Sequence, residues 1–120
     1  MARILAVDDS NSLRRIAVHT LVDAGHEVVE AVDGGEGLEK ARDDRFDLAL
    51  LDLNMPVMDG ISLTRELRAL DGYGSTPILI LTTESAPDRK AEGKAAGATG
   101  WLVKPFSPSR LLSIVSQVLD

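Results

Sequence analysis

The sequence contains no cysteine and few aromatic residues. The absence of cysteine excludes disulfide bonds and thiolate metal sites. Aromatic residues make up only 3% of the chain, whereas hydrophobic residues as a whole make up 44%. A hydrophobic core is therefore expected to consist mainly of aliphatic side chains.

Long apolar runs and an excess of positive charge are also missing. The first ten residues, MARILAVDDS, contain too short an apolar stretch for a signal peptide, and no segment approaches membrane-spanning length. We therefore expect a cytoplasmic protein without a membrane partner. The net charge of −6 argues against a nucleic-acid partner. With no linker or low-complexity tract, residues 1–120 are expected to form one domain.

The sequence alternates between short apolar runs and stretches with helical spacing. Short apolar runs recur about every twenty residues, and most are bounded by Gly, Pro, Asp or Thr. Several are apolar on both faces, which is typical of strands in a parallel sheet that is covered on both sides. The second run is less apolar, which indicates an edge strand. The runs comprise residues 4–7, 28–29, 48–51, 78–81 and 101–103.

Between these runs, apolar residues recur at the spacing of an α-helix. Residues typical of helix ends mark the limits of these stretches: Gly25 after the first helix, Asp59 before the third and Ser107 before the fifth. Five βα units with right-handed crossovers predict an α/β fold, a single doubly wound five-stranded parallel sheet with helices on both faces. The expected buried stripes are Leu13, Ile16, Ala17, Thr20, Leu21 and Ala24 in the first helix, Ile61, Thr64, Leu67 and Leu70 in the third, and Leu111, Val115, Val118 and Leu119 in the fifth.

The fourth helix, expected between residues 88 and 98, differs from the others. Its buried stripe offers only Ala91, Ala95 and Ala98, and Gly93 in its interior costs about 1 kcal/mol relative to alanine. Small side chains also bury less apolar surface than leucine does. We therefore expect this helix and the loop before it to be the mobile part of the domain.

Polar groups follow four of the predicted strands at the point where each strand ends. Carboxyl ends of parallel strands share one edge of the sheet, where ligands bind. Each group alone has a simpler interpretation. Asp9 would cap the first helix, and Thr82 would merely end a strand. Lys104 would be a solvated loop lysine, and Asp52 a charge leaving the core. Their coincidence at one edge favours a functional site made of Asp8, Asp9, Asp52, Thr82 and Lys104.

Three carboxylates in one pocket need charge compensation. Two unit charges about 4 Å apart repel by about 4 kcal/mol at an effective dielectric constant near 20, and one lysine offsets only part of this. A divalent cation with oxygen ligands, Mg²⁺, supplies the missing charge. Asp52 can then stay anionic and attack a phosphoryl group. Lys104 and Thr82 would stabilise the phosphoryl oxygens.

In order and spacing, the segments VDDS, LDLNMPVMDG, LTTES and GWLVKPF resemble the receiver domains of two-component response regulators. The resemblance covers residues 1–120. It implies a flavodoxin-like (βα)5 fold with the strand order 2-1-3-4-5. It also implies a phosphoprotein of a phosphorelay and not an enzyme, since such a domain promotes only its own phosphorylation and dephosphorylation.

The resemblance assigns a role to each carboxylate of the predicted site. Asp52 is the expected phospho-acceptor. Mg²⁺ is expected to bind Asp9, Asp52 and the backbone carbonyl of Asn54, and Asp8 is expected to act mainly through metal-bound water. The expected phosphoryl donor is a phosphohistidine of a sensor histidine kinase, or a small acyl phosphate.

The resemblance also implies a switch. Thr82 would engage a phosphoryl oxygen, and Lys104, followed by a cis Pro105, would form an ion pair with the phosphoryl group. Trp101 occupies the position of the family's switch aromatic, which is usually tyrosine or phenylalanine; its simpler interpretation is a half-buried ring that covers the fourth helix. Thr83 stands where members often carry alanine or glycine, and is expected to narrow access to the site.

Because the receiver accounts for the whole sequence, output is expected from a surface that changes on phosphorylation. The resemblance places that surface on the fourth helix, fifth strand and fifth helix. Residues 82–106 resemble stand-alone chemotaxis regulators of the CheY type, which implies a CheA-like kinase and a flagellar motor switch protein as partners. A phosphatase is a further candidate partner, and a relay or phosphate-sink receiver is the alternative.

Three rival classes remain as alternatives. A phosphatase of the haloacid-dehalogenase type would need a second carboxylate two residues after Asp52, where Asn54 stands. A flavodoxin-like cofactor carrier would need a phosphate-binding first loop, but Asp8 and Asp9 repel an anion. A receiver-like module that only binds partners would not need the complete set of acidic residues, Thr82 and Lys104.

Overall fold

The computed structural model describes residues 2–83 and 87–119. Within them, five strands alternate with five helices, and no helix of this part of the chain is long and apolar enough to cross a membrane. The strands are β1 (Arg3–Val7), β2 (Glu27–Ala31), β3 (Leu48–Asp52), β4 (Ile78–Thr82) and β5 (Gly100–Val103). The helices are α1 (Asn11–Asp23), α2 (Gly34–Asp43), α3 (Gly60–Ala69), α4 (Pro87–Ala96) and α5 (Pro108–Leu119).

The strands form one parallel sheet in the order β2-β1-β3-β4-β5. This confirms the predicted α/β fold, the strand order and the position of β2 at an edge. The strands run in the same direction, so the residues that follow β1, β3, β4 and β5 emerge at one edge of the sheet. The predicted site residues follow or end these same strands.

Two apolar layers cover the sheet, one on each face. Ile4 of β1 packs in the layer that contains α1 and α5, whereas the next residue, Leu5, packs in the layer that contains α2 and α3. Successive side chains of a strand point to opposite faces, so both must be apolar when both faces are covered. All five residues of β3 and all five of β4 are buried, which explains the continuous apolar runs in the sequence.

Three predicted helix boundaries are confirmed. The Asp59 carboxylate accepts a hydrogen bond of 2.8 Å from a backbone N–H in the first turn of α3. Gly25 follows the end of α1 with φ of 95°, a conformation that favours glycine. The Ser107 hydroxyl accepts a hydrogen bond of 3.1 Å from the backbone N–H of Arg110 at the start of α5.

The predicted buried face of α1 is partly wrong. Ala17 and Leu21 are buried, but Leu13 and Ile16 are 43% and 52% exposed. Arg14 is buried instead, because its guanidinium finds polar partners at the carboxyl edge of the sheet. The helix therefore turns residues 14, 17 and 21 towards the sheet.

The predicted buried face of α4 is also partly wrong. Ala91 and Ala95 are exposed, whereas Gly93 and Ala96 are buried. The half-buried ring of Trp101 lies against Gly93, where a Cβ atom would approach the ring to 2.9 Å. The face of α4 that meets the sheet is thus shaped by the tryptophan ring, and the simpler interpretation of Trp101, a ring covering this helix, is confirmed.

The expected mobility of α4 stays a prediction. The loop before it, residues 84–86, lies outside the described residues. The packing explains why a glycine occurs inside this helix despite its low helix propensity, since the position has no room for a larger side chain.

We predict that Gly93→Ala lowers the free energy of unfolding by about 1 kcal/mol. Alanine favours a helix over glycine by about 1 kcal/mol, but the new methyl group would also meet the ring of Trp101, and overpacking costs about 1–3 kcal/mol. Gly35→Ala in α2 is the matched control, because its Cβ would meet only a carboxylate oxygen at 3.4 Å. Urea denaturation should show a loss for the first variant and a small gain for the second. Equal gains would contradict the described packing.

Candidate functional site

The sheet brings the predicted site residues to its carboxyl edge. Strand pairing aligns Val7 with Leu51, so that Asp8 and Asp52 leave the sheet side by side. Thr82 is the last residue of β4 and is buried. Lys104 follows β5 directly, and its backbone N–H donates a 2.7 Å hydrogen bond to the carbonyl of Thr82.

Three carboxylates and one ammonium group form the centre of the site. One oxygen each of Asp8, Asp9 and Asp52 lies within 4.8 Å of the other two. Asp8 and Asp52 are buried, whereas Asp9 is exposed. The Lys104 ammonium group, itself buried, lies 3.0 Å from Asp8 Oδ2 and 3.1 Å from Asp52 Oδ1. A single lysine thus bridges the two buried carboxylates, and the third faces the open side of the site.

Burial and neighbouring charge change the acidity of Asp52. Burial, followed by the negative charge of Asp8, raises the pKa of Asp52 to about 6, against the lowering effect of Lys104. One lysine is therefore not enough to keep this carboxylate as acidic as an aspartate in water. A further cation near the three carboxylates would favour the anionic form of Asp52.

The residues present fit Mg²⁺. All three candidate ligand side chains offer carboxylate oxygens, the hard ligands that this ion prefers. The exposed Asp9 leaves one side open to water, which suits an ion that usually keeps several water ligands. Asn54 lies two residues after Asp52, in the loop that follows β3, and its backbone carbonyl stays a predicted ligand.

The structure decides several of the simpler interpretations. Ser10, not Asp9, caps α1, because its hydroxyl accepts a hydrogen bond from the backbone N–H of Leu13. Lys104 is not a solvated loop lysine, and Asp52 is not a charge leaving the core for solvent, since both side chains are about nine-tenths buried. These three interpretations are wrong. Thr82 ends β4, as expected both for a residue that merely ends a strand and for a residue of the site.

The turns around the site follow the predicted pattern. The peptide bond between Lys104 and Pro105 is cis, as expected. Gly60, the first residue of α3, passes so close to β3 that a Cβ atom there would lie 2.6 Å from the carbonyl oxygen of Asp52. Glycine at this position allows the loop after Asp52 to fold back onto the strand end. Thr83 is exposed beside the site, and its effect on access stays a prediction.

One residue beside the site was missed by the sequence analysis. Arg14 of α1 is only 8% exposed, and its guanidinium donates a 2.6 Å hydrogen bond to the backbone carbonyl of Asp8. The prediction assigns the buried face of α1 to apolar residues alone, and Arg14 lies outside that stripe. The available signal was its spacing to Ala17 and Leu21, which places the three residues on one face.

Known proteins are similar to this chain in sequence and in fold. A family model described as the response regulator receiver domain matches residues 4–116. The chain is 40% identical over 117 residues to the transcriptional regulatory protein PrrA of Mycobacterium tuberculosis, which covers 98% of the chain and 49% of PrrA. It is 37% identical over 119 residues to protein PilH of Pseudomonas aeruginosa, covering 99% of the chain and 98% of PilH. The chain thus spans about half the length of PrrA but nearly all of PilH.

A solved structure gives the same result. The structure of the chemotaxis protein CheY4 of Vibrio cholerae superimposes with a TM-score of 0.96 at 55% sequence identity. The match covers 98% of each chain. The predicted flavodoxin-like α/β architecture is therefore confirmed by comparison as well as by the strand order.

We predict that Asp52→Asn stabilises the metal-free protein at pH 7 by about 1–2 kcal/mol. The raised pKa means that the folded state binds more protons than the unfolded state between about pH 4 and 6, so stability falls as the pH rises through this window. The asparagine side chain does not titrate, so the Asp52→Asn variant does not lose this stability as the pH rises. Urea denaturation with a chelator should show the difference at pH 7 and a smaller one at pH 5.

The control for this prediction is Asp71→Asn, which removes an exposed carboxylate outside the site and should change stability by less than about 0.5 kcal/mol. An asparagine variant at position 52 that is less stable than the parent at pH 7 would contradict the unfavourable charge balance described for the metal-free site.

Proposed function

This chain belongs to the response regulator receiver family, and on that basis we propose that Asp52 accepts a phosphoryl group from a sensor histidine kinase in a Mg²⁺-dependent reaction. The observation that carries the proposal is the Lys104 ammonium group between Asp8 and Asp52, with Asp9 completing the acidic cluster. Receiver domains are signalling modules and not classical enzymes. They bind Mg²⁺ at an acidic cluster and interact with histidine kinases and downstream targets.

The proposed reaction transfers a phosphoryl group to a carboxylate. An oxygen of Asp52 attacks the phosphorus atom of the donor, and the bond from phosphorus to the donor's histidine nitrogen or acyl oxygen breaks. The electron pair of that bond leaves with the donor, and the product is a mixed anhydride, an aspartyl phosphate. Attack of water on the same phosphorus atom releases inorganic phosphate and regenerates the carboxylate of Asp52.

The side chains around Asp52 have distinct roles in this proposal. Asp9, Asp52 and the backbone carbonyl of Asn54 would hold Mg²⁺, and Asp8 would act through a metal-bound water. When bound, the ion balances negative charge on the carboxylates and on the transferring phosphoryl oxygens. Lys104, already 3.1 Å from Asp52 Oδ1, would pair with a phosphoryl oxygen.

Thr82 and Trp101 would convert phosphorylation into a change of surface. Thr82 lies at the end of β4, and its hydroxyl would bond a phosphoryl oxygen on Asp52. Trp101 lies on the adjacent strand, where β4 pairs with β5, and its ring packs against Gly93 of α4. A movement of Thr82 towards the site would therefore change the packing of the Trp101 ring and of α4. The proposed switch thus links Asp52 to the face formed by α4, β5 and α5.

The same face is the proposed output surface. A cavity of about 330 Å³ lies beside Trp101 and is lined by Lys90 and Lys94. Val103 of β5 and Arg110 of α5 are also exposed. These cationic and apolar groups suit a partner segment that carries acidic and apolar side chains.

A chemotaxis role is the favoured context for that surface. The identity of 55% to the chemotaxis protein CheY4, over 98% of both chains, favours it over a transcriptional role. We propose that residues 1–120 form one receiver domain that acts in the cytoplasm, is phosphorylated by a CheA-like kinase and binds a flagellar motor switch protein. A phosphatase would be a further partner, and a relay or phosphate sink is the alternative.

We predict that incubation with Mg²⁺ and acetyl phosphate increases the intact mass of the protein by one phosphoryl group. Asp52→Asn should gain nothing, because the attacking carboxylate is absent, and addition of a chelator to the parent protein should also abolish the gain. Asp71→Asn is the matched control and should be phosphorylated like the parent protein.

The other outcomes separate the rival functions. Phosphorylation of Asp52→Asn would overturn the assignment of the acceptor. The absence of phosphorylation by both acetyl phosphate and a histidine kinase would favour a module that only binds partners. Turnover of phosphate esters would favour a phosphatase of the haloacid-dehalogenase type.

A further inference from the structure

We propose that Arg14 is a positioning residue for the metal site, because it fixes the peptide bond that joins Asp8 to Asp9. This inference rests on the proposed Mg²⁺ site and adds a residue to it. Among the described residues, the guanidinium of Arg14 donates to the backbone carbonyl of Asp8 and to no carboxylate of the acidic cluster. It acts on these carboxylates through the backbone that carries them.

The guanidinium group of Arg14 is held at three points. Its Nη1 donates to the backbone carbonyl of Asp8 at 2.6 Å, and its Nη2 donates to Asn11 Oδ1 at 2.6 Å. Its Nε donates to Glu30 Oε1 of β2 at 2.9 Å. The group therefore ties the end of β1 to the start of α1 and to β2. A planar guanidinium suits this task, because its donors point in fixed directions.

The carbonyl that Arg14 holds belongs to the peptide between two proposed metal-site residues. The orientation of this peptide decides in which direction the side chains of Asp8 and Asp9 leave the backbone. The other polar groups of Asp8 also take part in hydrogen bonds. Its backbone N–H donates to the carbonyl of Ala31, its Oδ1 accepts from the backbone of Ser10 at 2.9 Å, and its Oδ2 accepts from Lys104 at 3.0 Å.

Asp9 lacks the burial that restrains its neighbour. Because it is exposed, its direction depends mainly on the backbone from which it leaves. Loss of the Arg14 contact would let the peptide rotate, and the carboxylates would then have to be ordered when Mg²⁺ binds. Groups behind a metal site that orient its ligands typically contribute a factor of about 10–100 in metal affinity.

A second arginine provides a matched control. Arg68 of α3 is also partly buried, and its guanidinium donates to the backbone carbonyls of Tyr73, Thr76 and Gly97 at 2.6–3.0 Å. It lies at the opposite edge of the sheet, where β4 begins. Replacement of Arg68 should destabilise the fold for the same physical reason as replacement of Arg14, but without effect on the acidic cluster.

The test is the dissociation constant of Mg²⁺, measured by isothermal titration calorimetry on the folded parent protein, Arg14→Met, Arg14→Lys and Arg68→Met. We expect the affinity for Mg²⁺ to fall about tenfold in Arg14→Met. It should fall by less in Arg14→Lys, which keeps a cationic hydrogen-bond donor but loses the fork of the guanidinium, whose donors point in fixed directions. Arg68→Met should stay within about twofold of the parent. The phosphorylation rate of Arg14→Met should recover at saturating Mg²⁺, which distinguishes loss of metal binding from loss of chemistry.

An unchanged Mg²⁺ affinity in Arg14→Met would overturn the inference, as would an equal loss in Arg68→Met. If Arg14→Met does not fold, Arg14→Lys decides, and parent-like affinity in it would overturn the requirement for the guanidinium fork. A parent protein that binds no Mg²⁺ and accepts no phosphoryl group would instead show that the proposed function itself is wrong.

Discussion

The repulsion among Asp8, Asp9 and Asp52 is the constraint on which the site depends. Parallel strands bring the three carboxylates to one edge, and two of them are buried there. Lys104 bridges the buried pair, yet the pKa of Asp52 is still raised to about 6. The metal-free pocket is thus short of positive charge. Binding of a divalent cation and of a phosphoryl group that is itself bound by cations is the chemistry that such a pocket favours.

The surrounding fold holds these charges in place through its backbone. Gly60 lets the loop after β3 return against Asp52, and the cis peptide bond before Pro105 follows directly on the lysine. Ser10 and Arg14 hold the segment that carries Asp8 and Asp9. The site is built from strand ends and capped helix starts, and its geometry is therefore set by the sheet and not by a long loop.

Much of the fold follows from local sequence signals. The apolar runs predicted all five strands, most clearly β3 and β4, where burial on both faces leaves an unbroken aliphatic pattern. Asp59 and Ser107 predicted the starts of α3 and α5. The convergence of the site residues followed from the parallel topology alone. The strand order was implied by the family resemblance and not by the pattern.

The errors arose where a partner from another part of the chain decides which face of a helix is buried. In α1, the carbonyl of Asp8 and the carboxylate of Glu30 attract Arg14 inwards, and Ile16 is left exposed. In α4, Gly93 is buried instead of an alanine, because the ring of Trp101 packs against it. Neither partner lies within the helix concerned, so the apolar residues of the helix do not show where that partner lies; the signal available within α1 was the spacing of Arg14 to Ala17 and Leu21.

The central claim is that a divalent cation lowers the pKa of Asp52, which is raised to about 6 in the metal-free pocket. The most direct measurement is a pH titration of the Asp52 carboxyl carbon by ¹³C nuclear magnetic resonance, assigned with Asp52→Asn and recorded with and without Mg²⁺. The claim predicts a midpoint near pH 6 in the metal-free protein and a decrease of more than about one pH unit when Mg²⁺ is bound. A metal-free midpoint near the usual value of about 4, or a midpoint that Mg²⁺ leaves unchanged, would contradict it.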